Sequence, residues 1–248
     1  MKKDVIAANW KENKENSEAS DFFHEIKRRL VDVSETEVII SPSYVSLVTA
    51  YDILRDSSIK IAAQNIFHED KGAFTGEVSV PMVKNFCSYV IVGHSERRNI
   101  FGETDEMVYN KLKAVLRHGL KPILCVGETI EQREKGETFE VIKRMLKPLD
   151  ELVTKDFIIA YEPVWAISCG KEDVRPATPE DAQEIHCYIR ELLGDKLGHE
   201  AGDVRILYGG SVKPENIKSF MGKKDIDGAL VGNASLDVDK FEKIIRNK

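Results

Sequence analysis

Short apolar runs alternate with charged, amphipathic stretches along the whole chain. Eight of these runs are rich in Val and Ile and lack polar alternation, as expected for strands buried on both faces. Between them, apolar residues at helical spacing predict helices over residues 18–30, 106–116 and 179–193. The predicted strands are residues 5–8, 38–40, 59–63, 89–92, 122–126, 157–161, 204–208 and 228–231.

This alternation of strands and helices predicts the fold class. Strands that alternate with helices pair in parallel through crossover connections. An open doubly wound sheet also fits, but it typically has a glycine-rich turn after the first strand, and here residues 9–12 read Asn-Trp-Lys-Glu. We therefore predict an α/β fold with a single closed (β/α)8 barrel, in which eight parallel strands are ringed by helices. We expect residues 1–248 to form one domain, a length typical of this barrel.

Composition and charge limit the expected partners and compartment. Hydrophobic residues make up 42%, enough for a sizeable core, and the net charge of −6 comes without a long basic run, so we expect neither nucleic acid nor membrane as a partner. The apolar run at residues 5–8 is too short for a signal peptide or a membrane span. Four cysteines without a CxxC pair predict reduced thiols in a cytoplasmic protein and no metal site.

Reactive side chains follow several of the predicted strands. Active sites of β/α barrels lie where the strands end, so these residues are expected to converge on one rim. Each also has an ordinary interpretation, since Lys11 and Glu162 could be surface charges and His94 could cap a helix. Their convergence favours a catalytic site. The candidates are Asn9, Lys11, His94, Ser95, Glu96 and Glu162.

Two glycine-containing turns follow the seventh and eighth predicted strands, at residues 209–211 and 232–233. Main-chain N–H groups at helix starts bind anions, and glycine lets a phosphate approach closely. The same two loops are the common phosphate site of β/α barrels. We predict that Ser211, Gly232 and Asn233 bind a phosphate, although two ordinary strand-to-helix turns would look similar.

Five motifs in chain order resemble the triosephosphate isomerase family. They are Asn-Trp-Lys at 9–11, Ile-Val-Gly-His-Ser-Glu-Arg-Arg at 91–98, Ala-Tyr-Glu-Pro-Val-Trp-Ala-Ile at 160–167, Tyr-Gly-Gly-Ser-Val at 208–212 and Leu-Val-Gly-Asn-Ala-Ser-Leu at 230–236. The resemblance implies interconversion of dihydroxyacetone phosphate and D-glyceraldehyde 3-phosphate, a step of glycolysis and gluconeogenesis, with no cofactor and no metal.

The resemblance also implies a role for each candidate. Glu162 is the expected base and His94 the expected neutral electrophile, while Lys11 and Asn9 bind substrate. The helix start after His94 should disfavour its charged form. Cys125 resembles the family's buried cysteine near the base, although a small apolar filler fits that position equally well. The expected supporting residues are Ser95, which holds the base, Glu96, which pairs with Lys11, and Cys125 and Tyr208.

Two further segments carry expectations from the resemblance. The lid reads Ser-Cys-Gly-Lys at 168–171 where the family usually has Gly-Thr-Gly-Lys, and the second hinge, at 172–176, is longer than usual. The Ser168 N–H is the expected phosphate donor of the lid. Residues 63–77 resemble the family's protruding interface loop and imply a homodimer through the loop around Thr75, with a tetramer as the alternative.

Two other functions fit parts of this pattern. Another phosphate-binding barrel, an isomerase or lyase acting on a larger sugar phosphate, would share the two turns but would not need the three other motifs. A catalytically idle barrel that serves as a scaffold would fit the altered lid, although the intact Asn9, Lys11, His94 and Glu162 argue against it.

Overall fold

The computed structural model describes residues 2–152, 154–166 and 176–248, and these form a closed barrel of parallel strands. Neighbouring strands follow one another in chain order around the barrel. The eight strands in the described residues are β1 Asp4–Asn9, β2 Thr36–Ser41, β3 Lys60–Ala63, β4 Tyr89–Val92, β5 Lys121–Val126, β6 Ile158–Tyr161, β7 Arg205–Tyr208 and β8 Gly228–Val231.

Helices follow the strands and ring the barrel. Each predicted strand and helix is present, and the ends differ from the prediction by at most four residues. The α-helices among the described residues are α1 Asn16–Arg29, α2 Leu47–Leu54, α3 Val80–Val83, α4 Ser95–Asn99, α5 Asp105–Arg117, α6 Ile130–Glu134, α7 Thr138–Leu146, α8 Pro179–Leu197, α9 Ile217–Met221 and α10 Val238–Asn247.

The pairing of the first strand with the last one closes the sheet. Val5 lies opposite Gly228 and Ala8 lies opposite Val231 in a parallel register. This closure confirms the predicted (β/α)8 barrel and excludes the open doubly wound alternative. Because all strands run the same way, their carboxyl ends meet at one rim, where the candidate residues follow.

Two hydrophobic layers explain why the strand sequences lack alternation. One layer fills the barrel interior with residues such as Val5, Ile39 and Leu207. The other lies between the strands and the helices and includes Ile6 of β1 and Phe23 of α1. Since each strand is covered on both sides, successive residues are apolar irrespective of the face they occupy.

The start of α8 shows how local sequence sets the helix boundaries. The Thr178 side chain accepts a hydrogen bond from the Asp181 N–H, and the Asp181 carboxylate accepts one from the Thr178 N–H at 2.9 Å. Pro179 occupies the first helical turn, where its missing N–H costs nothing. This reciprocal cap fixes the start of α8 at Pro179. Among the described helices, none has the length and apolar character needed to cross a bilayer.

His186 of α8 is a buried titratable group in the layer between helices and barrel. Its Nδ1 lies 3.2 Å from the Asp225 carbonyl oxygen, and its ring packs edge-on against Tyr161 with centroids 5.9 Å apart. Its Nε2 is buried and has no hydrogen-bond partner among the described residues. Burial lowers the pKa of His186 to about 4, although the Asp225 carbonyl and the nearby carboxylates oppose the shift.

This histidine predicts a pH-dependent stability. An unfolded histidine titrates near 6.5 and the folded one near 4, so the unfolded chain binds the extra proton between these values. The stabilisation is complete above about pH 6.5 and is lost as the pH falls towards 4, a difference of about 3 kcal/mol. Denaturant unfolding of wild type and His186→Gln from pH 4 to 7, at fixed protein concentration, checks this.

The pH dependence of the unfolding free energy should be flatter in His186→Gln over that window. His24→Gln is the matched control, because His24 is an exposed residue of α1 and should leave the slope unchanged. Equal slopes in His186→Gln and wild type would contradict the assignment.

Candidate active site

A cavity of about 820 Å³ opens at the carboxyl ends of the strands. It brings together most candidates from the sequence, although they lie up to 224 positions apart between Asn9 and Asn233. β1, β4 and β6 supply the polar side chains, and the turns after β7 and β8 supply the far wall. The predicted site residues that line it are Asn9, Lys11, His94, Glu96, Glu162, Ser211, Gly232 and Asn233.

A buried pair of Glu162 and His94 lies at the centre of this cavity. Glu162 Oε1 is 2.9 Å from His94 Nε2, and Glu162 Oε2 accepts a hydrogen bond from the Ser95 N–H, also at 2.9 Å. Glu162 is 2% exposed and His94 6%. Ser95 therefore holds the carboxylate through its main chain and not through its hydroxyl.

His94 also caps the helix α4, as the ordinary interpretation of this residue predicts. Its Nδ1 accepts a hydrogen bond from the Glu96 N–H at 3.2 Å. A neutral imidazole has one donor and one acceptor nitrogen. Because Nδ1 acts as the acceptor, the proton of the neutral ring lies on Nε2, the nitrogen that faces Glu162.

The two groups perturb each other's pKa values. Burial raises the pKa of Glu162, but the adjacent His94 and the Ser95 N–H stabilise the carboxylate and lower the pKa overall. Burial lowers the pKa of His94, but the Glu162 carboxylate raises it overall. The helix start alone was expected to lower the pKa of His94. In this arrangement the neighbouring Glu162 carboxylate raises that pKa instead.

Lys11 reaches the cavity from an unusual backbone conformation. Its φ is 55°, in the left-handed region that costs a non-glycine residue about 1–2 kcal/mol. The conformation is held in place because the Lys11 carbonyl accepts from Gln64 Nε2 at 2.9 Å and its N–H donates to Asn9 Oδ1 at 3.2 Å. The Lys11 ammonium lies 2.5 Å from Glu96 Oε1, which fixes its direction.

The two glycine turns line the same cavity, and Gly232 lies beside the Lys11 side chain. Both turns differ from the helix starts expected of them. A short 3-10 helix, Asn233–Leu236, begins directly after Gly232. After Ser211, the helix α9 begins only at Ile217, and the connection is tied by the Asn216 side chain, which donates to the Ser211 carbonyl at 2.9 Å.

Two glycines leave room for the main chain and side chain of Glu162. A Cβ on Gly127, at the end of β5, would lie 1.7 Å from the Glu162 carbonyl oxygen. A Cβ on Gly209, at the end of β7, would lie 2.8 Å from Glu162 Cγ. The carbonyl group and the side chain of Glu162 therefore occupy space that the glycines directly after β5 and β7 leave open.

The remaining supporting candidates lie beside this centre. Tyr208 is buried in the outer layer and stacks on Phe220, with ring centroids 4.1 Å apart. Cys125 is fully buried in the barrel interior, and burial together with the nearby Glu162 raises the pKa of its thiol well above the usual range. A protonated, buried thiol is unreactive, which favours the apolar filler among the two interpretations of Cys125.

Glu128 is a buried carboxylate that the sequence analysis missed. It accepts hydrogen bonds from Trp165 Nε1 at 2.8 Å and from the Tyr161 hydroxyl at 3.1 Å, and Arg133 Nη1 lies 3.2 Å away. The Arg133 guanidinium also lies over the Trp165 ring, 4.3 Å from its centroid. Glu128 thereby anchors the residues that directly follow the base. Its position two residues after β5, at the rim where the other candidates lie, could have marked it as a candidate in the sequence.

Some expectations fall on residues that are not described. Ser168, with its expected phosphate-binding N–H, and Cys169 lie outside the described residues, as does most of the longer hinge. Among the described residues, no group of three or more His, Cys, Asp or Glu side chains could hold a metal ion.

These features define a β/α-barrel protein with a buried glutamate–histidine pair and two glycine-containing turns in one cavity at the carboxyl ends of its strands. The family model described as Triosephosphate isomerase matches residues 4–248. The chain belongs to the triosephosphate isomerase family, which confirms the resemblance seen in its motifs and sets aside a barrel enzyme for larger sugar phosphates.

Several curated relatives are similar over nearly their whole length. Triosephosphate isomerase of Carboxydothermus hydrogenoformans is 50% identical over 252 residues, covering 99% of each chain. That of Moorella thermoacetica is 48% identical over 250 residues, covering 99% of this chain and 98% of the relative. That of Aquifex aeolicus is 48% identical over 245 residues, covering 97% and 98%.

The close approach of Gly209 to the base yields a prediction. A Cβ at residue 209 has to displace the Glu162 side chain, and a misplacement of about 1 Å can cost about 100-fold in rate. We expect Gly209→Ala to lower kcat by about 10- to 100-fold with a smaller effect on KM. Steady-state assays with glyceraldehyde 3-phosphate check this.

Gly194→Ala is the matched control, since residue 194 lies in α8 with no atom within 4 Å of the added Cβ. It should keep full activity and stabilise the helix by at most about 1 kcal/mol. Full activity of Gly209→Ala would show that the base has more room than the geometry implies.

Proposed function

We propose that this chain interconverts dihydroxyacetone phosphate and D-glyceraldehyde 3-phosphate, with Glu162 as the base and neutral His94 as the electrophile. The observation that carries the proposal is the buried contact of 2.9 Å between Glu162 and His94, opposite two main-chain turns suited to a phosphate. Lys11 and Asn9 are proposed to bind the substrate, and Ser211, Gly232 and Asn233 to bind its phosphate. The membership in the family supports the choice of substrate.

The reaction moves one proton between neighbouring carbons. Glu162 removes a proton from the carbon beside the carbonyl, and the carbonyl oxygen becomes negative as an enediolate forms. His94 Nε2–H donates to that oxygen, and Lys11 adds a positive charge nearby. The hydroxyl proton of the neighbouring carbon moves to the former carbonyl oxygen, with His94 as the shuttle between the two oxygens. Glu162 then returns its proton to the former carbonyl carbon, which completes the change from ketose to aldose without net oxidation.

Substrate binding changes the balance between the two buried groups. A substrate that lies between Glu162 and His94 separates them and weakens the attraction that lowers the pKa of Glu162 and raises that of His94. Burial then dominates, which raises the pKa of Glu162 and lowers the pKa of His94. Glu162 becomes a stronger base and His94 is favoured as a neutral donor, as general acid–base catalysis near neutral pH requires.

Replacement of the base tests the proposal. Glu162→Gln keeps the shape and can accept the Ser95 N–H, but it cannot take a proton, so we expect kcat/KM to fall by about 10³-fold or more. A coupled assay of purified protein with glyceraldehyde 3-phosphate measures this.

Glu140→Gln removes a carboxylate from the exposed side of α7 and should keep wild-type activity. An inactive wild type would overturn the proposed reaction and favour the scaffold function instead. Unchanged turnover in Glu162→Gln would leave the reaction in place and remove Glu162 as its base.

We also propose that two copies associate through the loop around Thr75. This loop lies between β3 and α3 and exposes Phe74 and Thr75; Tyr44 and Met82 are further exposed apolar side chains. At its base, Gln64 holds the carbonyl of Lys11, so a partner that orders the loop would also support the site. Exposed apolar groups of this kind are typical of interfaces.

A charge placed in this loop tests the association. We expect Thr75→Glu to dissociate the dimer, because a partner would bury the new carboxylate without a compensating charge. Sedimentation velocity on wild type and variant measures the change. Ser58→Glu, with the same charge at the opposite end of the barrel before β3, should remain dimeric. A monomeric wild type, or a dimeric Thr75→Glu, would contradict the proposed interface.

We further propose a cytoplasmic location. Cys87 and Cys125 are free and buried, and Cys187 is free and half-buried. Unpaired thiols in a chain of this length are typical of a reducing compartment.

A further inference from the structure

The Arg133 guanidinium, on the short helix α6, contacts two separate stretches of chain that follow β6 in sequence. Its Nη2 donates to Asp181 Oδ1 at 3.0 Å, and its face lies over the Trp165 ring, 4.3 Å from the centroid. Its Nη1 also lies 3.2 Å from Glu128 Oε1, the oxygen that accepts from Trp165. The contacts with Glu128 and Trp165 hold the residues directly after the base, whereas the contact with Asp181 reaches the first turn of α8.

The helix α6 depends on polar contacts to hold its position. It has five residues, Ile130–Glu134, and none of them is buried. Because helices in proteins are stabilised mainly by the packing of an apolar face, a helix without buried residues has little to fix it against the barrel. Its start is set by the reciprocal cap between Thr129 and Gln132, and the Arg133 side chain connects it to its neighbours.

The helix α8 is a firmer support. It has 19 residues and buries an apolar face that includes Ile185 and Ile189. The Asp181 carboxylate at its start uses its two oxygens differently. Oδ2 accepts from the Thr178 N–H at 2.9 Å and from the Thr178 hydroxyl at 2.8 Å, while Oδ1 accepts from Arg133. The cap of α8 therefore holds this carboxylate in the direction that the contact with Arg133 requires.

We propose that Arg133 is a positioning residue, which ties the segment directly after Glu162 to α8 and thereby fixes the place of the base. This inference rests on the proposed function, since it takes Glu162 as the base. Trp165 lies three residues after Glu162, so a shift of the indole is passed to the base along a short stretch of chain. A misplacement of about 1 Å in an active site can cost about 100-fold in rate.

The chemistry of a guanidinium suits this role. It is planar and carries several N–H groups in a fixed fork, so it can bind two carboxylates and stack on an aromatic ring at the same time. In this structure Arg133 makes all three contacts. A lysine keeps the charge but has a compact ammonium without a flat face, and it cannot reproduce the arrangement. The place of the base should therefore depend on the shape of residue 133 and not on its charge alone.

Kinetics of variants on both sides of the contact test the role. Asp181→Asn keeps an oxygen that can accept from Thr178 but removes the charge that Arg133 binds, and Arg133 remains to balance the buried Glu128. We expect Asp181→Asn to lower kcat for glyceraldehyde 3-phosphate by about 3-fold, and Arg133→Gln and Arg133→Lys by about 10-fold, with KM within about 2-fold of wild type. If Arg133 only balanced the charge of Glu128, Arg133→Lys and Asp181→Asn would both keep full activity.

The double variant shows whether the two residues act through one contact. Arg133→Gln combined with Asp181→Asn should lose about 10-fold in kcat, like Arg133→Gln alone, whereas independent effects would multiply to about 30-fold. Glu180→Gln is the matched control and should keep the wild-type kcat, because Glu180 is an exposed carboxylate of the same helical turn that pairs with Lys223. A multiplied loss, an equal loss in Glu180→Gln or full activity of Arg133→Lys would overturn the positioning role.

Fluorine NMR of the chain labelled with fluorotryptophan separates this inference from the proposed reaction. The sequence has two tryptophans, and the other one, Trp10, is buried and stacks on Phe23 of α1. We expect Asp181→Asn to shift or broaden the Trp165 resonance and to leave that of Trp10 unchanged. An unchanged Trp165 resonance overturns the tie to α8 whether or not the protein is active. An inactive wild type in which Trp165 responds overturns only the proposed reaction.

Discussion

The burial of the Glu162 carboxylate is the constraint on which the rest of the site depends. A carboxylate that is 2% exposed is strongly disfavoured unless hydrogen bonds and opposite charge compensate for the lost water. Here the compensation comes from His94 and from the Ser95 N–H. One of the two groups that make the buried charge tolerable, His94, is thus also the group proposed to act on the substrate.

The barrel topology makes this arrangement possible. His94 and Glu162 follow β4 and β6, which are separated by β5, so the two side chains meet over the end of a strand that lies between them. That strand ends at Val126 and continues into Gly127, where the missing side chain admits the Glu162 carbonyl. On the other side, Gly209 after β7 leaves space for the side chain itself. The position of the base is therefore set by three strands in addition to its own.

Much of the fold and the site could be predicted from the sequence because both are encoded locally. The apolar runs mark the strands, and the last residues of those runs mark where a barrel places its chemistry. The contacts of Lys11 with Glu96 and of Ser95 with Glu162 were predicted from the family resemblance. Other contacts between distant segments could not be predicted. The left-handed Lys11 depends on a hydrogen bond from Gln64, and the raised pKa of His94 depends on a carboxylate 68 positions away. Glu128 was missed because its partners, Trp165 and Arg133, come together only in the folded chain.

The anchoring of Trp165 by Glu128 has a consequence for transplanting this site into another barrel. The carboxylate belongs to the loop after β5, Arg133 belongs to α6, and Trp165 follows β6. A chimera that receives only the segment around Glu162 would contain the Trp165 indole N–H without the Glu128 carboxylate that accepts from it. It would also lack Arg133, the cation that pairs with that carboxylate. Two consecutive β/α units of the donor, those of β5 and β6, would have to be exchanged together to keep this anchor intact.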